Sequence, residues 1–266
     1  MFDISTIPAA EQNRIVTNLR KWGIVTNMAD GTIDYADVPI PEMKCESIHL
    51  IRHVETVAVA KHEFMSDTSD NCGFTEAGVE LTTRQAQELK DYHFDVALVG
   101  PIARVVNTAK LIMQTPQSFE CVPVKKLHGI DNTGWEYKTY FDLEHDPVFL
   151  AREVENNMFA RTPNGSSWGT VIANCADVLE LINEQYAGKR ILLISQGSVL
   201  RGMQILLRAR PHPWDDYTAS GMYHVGDDSK KKKNYGIISK VYLKPEHSGR
   251  QSGQCAFRTD WMRLST

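Results

Sequence analysis

Runs of consecutive apolar residues occur at four places along the chain and predict β-strands. Three of them, 47–51, 95–99 and 190–195, are apolar at most positions, as in strands that are covered on both faces of a sheet. A fourth run, 235–243, follows a charged loop in the C-terminal part of the chain. The sequence therefore predicts three buried strands and one further strand.

Between these runs, apolar residues recur three and four positions apart, which is the spacing of one face of an α-helix. The clearest case is 168–186, and similar spacing or composition predicts helices at 9–22, 75–89, 102–113 and 197–207. Strands that alternate with helices are typical of a parallel sheet with helices on both faces. The predicted fold class is α/β, a three-layer α/β/α sandwich with a mostly parallel central sheet.

The length of 266 residues fits one large domain with an appendage. We expect an N-terminal helical extension at 1–45, and an α/β domain at 46–266 whose C-terminal part is irregular. In parallel sheets, ligands bind beyond the carboxyl ends of the strands. The segments expected to meet there are 52–53, 100–104 and 195–197.

The charge of the chain limits its partners. Lys and Arg number 29 and Asp and Glu number 33, a formal net charge of −4 at pH 7, which gives no electrostatic reason to expect nucleic acid as a partner. No segment reaches the roughly 18 apolar residues of a membrane helix, and the N-terminus lacks the features of a secretion signal. We expect a cytoplasmic protein that binds a small molecule and no membrane. The sequence leaves its oligomeric state open.

Neither a metal nor a cofactor is predicted. The five cysteines are far apart and show no CxxC spacing, which argues against a zinc site or a disulfide framework. The chain contains no GxGxxG, P-loop or HExxH motif. A run of four lysines at 230–233 is either a patch for a polyanion or a solvated loop, and the two aspartates before it favour the loop.

Four short segments carry a resemblance to a known family. Residues 50–56 read Leu-Ile-Arg-His-Val-Glu-Thr, residues 74–78 read Phe-Thr-Glu-Ala-Gly, residues 100–109 read Gly-Pro-Ile-Ala-Arg-Val-Val-Asn-Thr-Ala, and residues 194–197 read Ile-Ser-Gln-Gly. In order and spacing they resemble the RHG-x-T, L-T-x-x-G, S-P-L-x-R-A-x-Q-T-A and S-H-G motifs of the histidine phosphatase superfamily. The resemblance covers residues 46–208, and it implies a phosphoglycerate mutase-like fold.

The resemblance also implies a site for phosphoryl transfer. In the family, the histidine of the first motif attacks a phosphoryl group, two arginines and a second histidine bind its oxygens, and a glutamate usually protonates the leaving group. By position, the nucleophile is His53 and the two arginines are Arg52 and Arg104. The second histidine falls on Gln196 and the glutamate on Gly129. An amide donates a hydrogen bond but carries no charge at neutral pH, so the predicted catalytic set is divergent.

Other positions depart from the family pattern as well. Val54 replaces the glycine after the nucleophile, Val59 lies near the place of an asparagine, and Gly100 replaces a serine. Losing one donor at an oxyanion typically costs about 10²–10³ in rate, and losing a general acid costs about 10²–10⁴. The sequence offers four substitute acids, which are Glu55, His128, Asp131 and Glu136.

The residues expected to bind the substrate are Val54, Glu55, His128 and Trp135. Val54, Val57 and Val59 would give the pocket an apolar side. Trp135 belongs to a group of aromatic residues in irregular segments, which either line a lid over the strand ends or pack in the core.

Three functions fit these residues. The favoured hypothesis is an enzyme that has lost efficient phosphoryl transfer and performs cofactor-free acid–base chemistry, as an isomerase, lyase or ring-closing enzyme, on a small apolar carbonyl or phenolic substrate. The second is a phosphatase or phosphomutase that acts through a phosphohistidine at His53. The third is a non-catalytic protein that binds an anionic ligand or a partner through its arginines.

Overall fold

A five-stranded sheet forms the centre of the structure, a computed structural model that describes residues 2–67, 73–208, 213 and 239–243. In chain order the strands are β1 (Ile24–Thr26), β2 (Ile33–Tyr35), β3 (Ser47–Arg52), β4 (Val96–Val99), β5 (Glu120–Pro123), β6 (Arg190–Ser195) and β7 (Ser239–Leu243). β1 and β2 form a separate antiparallel pair. The central sheet has the strand order β5-β4-β6-β3-β7.

Helices flank this sheet and connect its strands. They are α1 (Ala9–Lys21), α2 (Val57–Ala60), α3 (Glu76–Glu88), α4 (Ala103–Met113), α5 (Tyr140–Leu143), α6 (Pro147–Glu153), α7 (Trp168–Gln185) and α8 (Gly197–Leu206). Short 3-10 segments lie at Ile4–Thr6 and Leu89–Tyr92. The five helices predicted from apolar spacing are confirmed.

The sheet is mostly parallel, as predicted. Strands β3, β6, β4 and β5 run in the same direction, and only the edge strand β7 is antiparallel to its neighbour β3. Arg52 pairs with Ser195, and Val99 pairs with Ile194. The carboxyl ends of β3, β6 and β4 therefore lie side by side at one edge of the sheet.

Alternate residues of the central strand β6 face opposite layers. Ile191 and Leu193 pack in a core cluster with residues of α1, α7 and α8. Leu192 and Ile194 pack in a second cluster with residues of α3 and α4. Because side chains alternate along a strand, burial on both faces requires the continuous apolar run seen in the sequence. The predicted three-layer α/β/α sandwich is confirmed.

The N-terminal helix is packed into this core. Ile15 and Leu19 on α1 are fully buried in the cluster that includes α7. The Asn18 side chain donates a hydrogen bond to the Ala173 carbonyl at 3.1 Å. The segment expected to form a helical extension at 1–45 thus shares one hydrophobic core with the sheet.

Some elements escaped the sequence analysis because they are short. α2, α5, β1, β2 and β5 have only three or four residues each, too few for apolar periodicity to be read. The predicted C-terminal strand is present over Ser239–Leu243. The lysine run at 230–233 lies outside the described residues.

Two kinds of feature are absent from the described ranges. Over these residues, no helix has the length and apolarity required to cross a membrane. The same part of the chain contains no cluster of three or more His, Cys, Asp or Glu residues that could hold a metal ion.

The burial of α1 predicts that its apolar face stabilises the whole domain. Leu19→Ala should lower the free energy of unfolding by about 2–5 kcal/mol, since it removes a fully buried side chain and leaves a cavity. Val25→Ala, at a position that is 50% exposed, serves as the control and should change it by less than about 0.5 kcal/mol. Urea denaturation measures both. Equal small effects would show that α1 is not part of the cooperative core.

Candidate active site

Backbone hydrogen bonds hold the segments that follow the three central strands in fixed positions. The His53 N–H donates to the Ser195 carbonyl at 3.0 Å, and the Gly100 N–H donates to the Ile194 carbonyl at 3.0 Å. The sheet ladder therefore continues by one residue past β3 and β4. This places His53, immediately after Arg52, at the edge where β6 passes into α8.

The ring of His53 has one defined tautomer. Its Nδ1 lies 2.7 Å from the Val54 carbonyl oxygen, and a carbonyl can only accept a hydrogen bond. The proton of the neutral ring is therefore on Nδ1. The lone pair is left on Nε2, so that this nitrogen is the one able to attack an electrophile or take a proton.

The surroundings of His53 keep its ring neutral. Burial lowers the pKa of the imidazole well below its ordinary value of 6.5, and the positive charges of Arg104 and Arg52 lower it further, while the hydrogen bond to the Val54 carbonyl raises it. Only 3% of the residue is exposed. A buried imidazole beside two guanidinium groups would have to form a third positive charge in order to bind a proton, which low-dielectric surroundings oppose.

Thr108 connects the helix that carries Arg104 to the loop that carries His53. Its hydroxyl donates to the Arg104 carbonyl at 2.7 Å and accepts a hydrogen bond from the Val54 N–H at 2.9 Å. Thr108 is fully buried, so both hydrogen bonds are shielded from water. Thr108, one helical turn after Arg104 on α4, thus holds the Val54 N–H in place. The Val54 carbonyl in turn orients the ring of His53.

Gln196 and Gly129 fit together as a pair. The Gly129 N–H donates to Oε1 of Gln196, which identifies Oε1 as the carbonyl end of the amide and leaves the Nε2 group as its donor end. A Cβ atom at position 129 would overlap Oε1. The two departures from the family pattern are therefore coupled, because the glycine makes the space that the glutamine amide occupies.

A close approach between chain segments also requires Gly100. A Cβ atom there would lie 2.5 Å from the Leu127 carbonyl oxygen and 3.0 Å from the Ser195 hydroxyl. That hydroxyl donates to the same carbonyl at 3.1 Å. The Ser198 hydroxyl accepts from the Ile130 N–H at 3.1 Å. The turn at 127–130 is thus bound to both sides of the β6–α8 junction, which leaves no room for a serine at position 100.

A cavity of about 640 Å³, including its open mouth, lies at this edge of the sheet and is lined by Arg52, His53, Arg104 and Gln196. The four residues predicted as catalytic therefore come together. The remaining polar side chains of the lining are Glu63, Asn132, Tyr140, Arg152, Glu153 and Ser198. Its apolar side chains are Val59, Phe64, Met65, Ile130 and Trp168.

The four residues predicted to bind substrate lie elsewhere. Val54 is 2% exposed and packs against Gly78, and the Glu55 carboxylate accepts a hydrogen bond from the Thr75 hydroxyl at 3.1 Å, near the start of α3. Neither lines the cavity, and neither do His128 and Trp135. Of the three valines expected to form an apolar side, only Val59 is in the lining.

His128 and Trp135 have structural partners of their own. His128 Nε2 lies 2.7 Å from the Asp67 carboxylate, and this hydrogen bond raises the pKa of His128 above 6.5. Trp135 is 4% exposed, and its ring packs 4.5 Å from the guanidinium carbon of Arg152. None of the four substitute acids named from the sequence lines the cavity.

Sequence reasoning missed the polar residues on the side of the cavity away from the strands. Arg152 and Glu153 end the short helix α6, and Asn132 and Tyr140 lie in the segment that precedes it. No motif identifies them. The place of Glu63 has a signal in its closeness to His53 along the chain. α2 is a single turn of helix directly after the His53 loop, and so short a helix keeps the residues after it near the strand end.

Comparison with known proteins decides the family. The sequence profile of the histidine phosphatase superfamily (branch 1) matches residues 48–220, which is more than half of the chain. This chain belongs to the histidine phosphatase superfamily. No curated protein sequence matches it.

Solved structures show that this superfamily member shares the phosphoglycerate mutase-like fold. YhfR of Bacillus stearothermophilus has a TM-score of 0.60 at 15% identity, over 82% of this chain and 96% of that protein. The α-ribazole phosphatase of Shigella flexneri has a TM-score of 0.57 at 20% identity, over 74% and 91%. The phosphoglycerate mutase of Bacillus anthracis has a TM-score of 0.54 at 19% identity, over 74% and 88%.

The pairing of Gly129 with Gln196 predicts strong coupling between the two positions. In this superfamily member, Gly129→Ala should lower the free energy of unfolding by about 1–3 kcal/mol, because the added methyl group overlaps the Gln196 amide and lies 2.6 Å from the Ser198 hydroxyl oxygen. In a Gln196→Ala background the same change should cost at least about 0.5 kcal/mol less, because only the close contact with the Ser198 hydroxyl then remains. A double-mutant cycle measured by urea denaturation tests this.

Gly73→Ala is the matched control, since a Cβ atom there meets no other atom within 4 Å. Its effect should be the same in both backgrounds. An equal cost of Gly129→Ala with and without the glutamine side chain would contradict the coupling.

Proposed function

We propose that this histidine phosphatase superfamily member transfers a phosphoryl group from a phosphomonoester to Nε2 of His53, as a phosphatase or phosphomutase does. The observation that supports this most is the orientation of His53. Its Nδ1–H is bound to the Val54 carbonyl, and its Nε2 lone pair is left for attack inside a cavity that also contains Arg52 and Arg104.

Charge balance favours phosphoryl transfer over proton abstraction. A general base works best when its pKa lies near the working pH, whereas burial and the two arginines hold the pKa of His53 well below 6.5. Taking a proton from a neutral carbonyl compound makes an enolate and an imidazolium at His53, and that imidazolium would lie beside two guanidinium groups. A phosphoryl group instead brings negative charge that the two guanidinium groups can balance. This argument weighs against the acid–base hypothesis that the sequence favoured.

The first chemical step follows from these positions. Nε2 of His53 forms a bond to phosphorus while the bond from phosphorus to the ester oxygen breaks, and its electron pair leaves with that oxygen. Arg52 and Arg104 stabilise the charge on the equatorial oxygens, where preorganised donors give the largest rate gain. The Nε2 amide of Gln196 donates a hydrogen bond without adding charge. In a phosphatase, water then attacks the phosphohistidine and releases inorganic phosphate.

Protonation of the leaving group sets this chain apart from the family pattern. At position 129 a glycine stands where the resemblance places the acid, and Oε1 of Gln196 occupies the space beside it. Losing a general acid costs about 10²–10⁴ in rate. We therefore infer that esters with good leaving groups, such as p-nitrophenyl phosphate, react faster than alkyl phosphates. The leaving oxygen takes its proton from water at the open mouth of the cavity.

Gly129 and Gln196 stand where the family has a glutamate and a second histidine, and this supports a second candidate, a protein that binds a phosphorylated ligand without turning it over. The two arginines alone suffice for that role, because bidentate guanidinium groups are strong phosphate ligands. This candidate differs from the first in one outcome, the absence of a covalent phosphohistidine.

Trapping the intermediate tests the proposal. After mixing with radiolabelled p-nitrophenyl phosphate and quenching in alkali, the wild-type chain should retain label that is lost on acid treatment, as for a phosphohistidine. His53→Ala should retain none. Arg104→Ala should lower kcat/KM by about 10²–10³, since it removes one cation from the phosphoryl group.

Arg84→Ala, at an exposed position on α3, is the control and should leave kcat/KM unchanged. Turnover that persists in His53→Ala would exclude His53 as the phosphoryl acceptor. Saturable binding of inorganic phosphate without label or turnover would favour the non-catalytic candidate.

A further inference from the structure

We propose that the substrate is an amine-bearing phosphomonoester, whose phosphate binds beside His53 and whose ammonium group binds Glu63. This inference rests on the proposed function and names the substrate class of the same cavity. It follows from the charges and partners of the side chains that line the half of the cavity away from the strands.

Glu63 has a fixed backbone position at the cavity. Its N–H donates to the Ala58 carbonyl at 2.9 Å, which ends α2. The next residue, Phe64, exchanges backbone hydrogen bonds with the opposite segment, from its N–H to Lys138 at 2.8 Å and from Tyr137 to its carbonyl at 2.9 Å. These bonds hold the backbone of Glu63 in place, and its side chain lines the cavity.

Arg152 does not neutralise Glu63, because it has other partners. Its Nε donates to the Glu153 carboxylate at 2.8 Å and its terminal nitrogen donates to the Asn132 side chain at 2.9 Å. Its side chain is 2% exposed. Within residues 2–67 and 73–208, no hydrogen bond or ion pair engages the Glu63 carboxylate. The charges of Arg152 and Glu153 cancel each other, and Glu63 leaves one negative charge in this half of the cavity.

Aromatic rings beside Glu63 suit a cation as well. The rings of Phe64 and Tyr140 both line the cavity, and their centroids are 4.9 Å apart. The face of an aromatic ring attracts an ammonium group through its quadrupole. The guanidinium carbon of Arg152 already lies 5.7 Å from the Phe64 centroid, so a cation is compatible with these rings. Together with the Glu63 carboxylate, this lining suits an alkylammonium group better than an anionic group.

The two halves of the cavity then have opposite charge. Arg52 and Arg104 lie near His53 at the strand ends, whereas Glu63 lines the cavity from the segment that follows α2. A phosphomonoester with an amine carries negative charge at one end and positive charge at the other, so both ends find a group of opposite sign. A substrate with a carboxylate in place of the amine would face Glu63 and be repelled.

Binding of matched arylphosphonates tests this without depending on turnover. The three probes are phenylphosphonates with an aminomethyl, a methyl or a carboxylate group in the para position, and calorimetry measures their affinities. For the wild-type chain the aminomethyl compound should bind roughly 10- to 100-fold more tightly than the methyl compound, as expected for a charged hydrogen bond. The carboxylate compound should bind most weakly.

Two variants test whether Glu63 causes the preference for the aminomethyl compound. Glu63→Gln should bring the aminomethyl and methyl compounds to about equal affinity, and Glu63→Lys should favour the carboxylate compound. Glu184→Gln, at an exposed position on α7, is the matched control and should keep the wild-type order. Equal affinities for all three probes in the wild-type chain, or an unchanged order in Glu63→Gln, would overturn the inference.

The same variants separate this inference from the proposed function. If phosphohistidine forms but the aminomethyl preference is absent, the substrate class is wrong and the phosphoryl transfer stands. If the preference is present but no phosphohistidine forms, the phosphoryl transfer is wrong. A loss of turnover in Glu63→Gln that is larger for alkyl than for aryl esters, without any change in binding order, would make Glu63 an acid and overturn its role as an ammonium ligand.

Discussion

The hydrogen bond from Nδ1 of His53 to the Val54 carbonyl determines what this site can do. It directs one ring nitrogen to the backbone and leaves the other as a lone-pair donor. The Val54 peptide is itself fixed by Thr108, whose hydroxyl joins it to the backbone of Arg104. His53 and Arg104 are therefore positioned by a single buried threonine, and the parallel sheet positions the second arginine, Arg52.

The site shows how two replacements can depend on each other. The Gln196 amide occupies the space that a side chain at position 129 would fill. Gly129 leaves that space open, and its N–H donates a hydrogen bond to the amide oxygen. Restoring a glutamate at 129 alone would displace Gln196 rather than rebuild an acid. What remains in the cavity with the two arginines is a neutral amide, which can donate a hydrogen bond but cannot act as an acid.

The sequence predicted the parts of the fold that depend on local pattern. Strands β3, β4 and β6 are apolar at most positions because helices cover both faces. Their parallel arrangement places Arg52, His53 and Gln196 at one edge. The position of Arg152 at the cavity was not predictable, because it depends on contacts between short segments that lack periodicity. Trp135 was expected to bind substrate, yet it packs beneath Arg152, since an aromatic residue in an irregular segment gives no sign of which face is buried.

Heteronuclear NMR of the imidazole nitrogens tests the central claim most directly, with the His53 signals assigned by their absence in His53→Ala. We predict the Nδ1–H tautomer of a neutral ring at pH 6.5, with protonation only well below that pH, because burial and the two arginines lower the pKa of His53. His128 is the internal reference, because its pKa is raised above 6.5, and on lowering the pH it should bind its second proton before His53 does. An imidazolium at His53 at pH 6.5, or a proton on Nε2, would contradict the account.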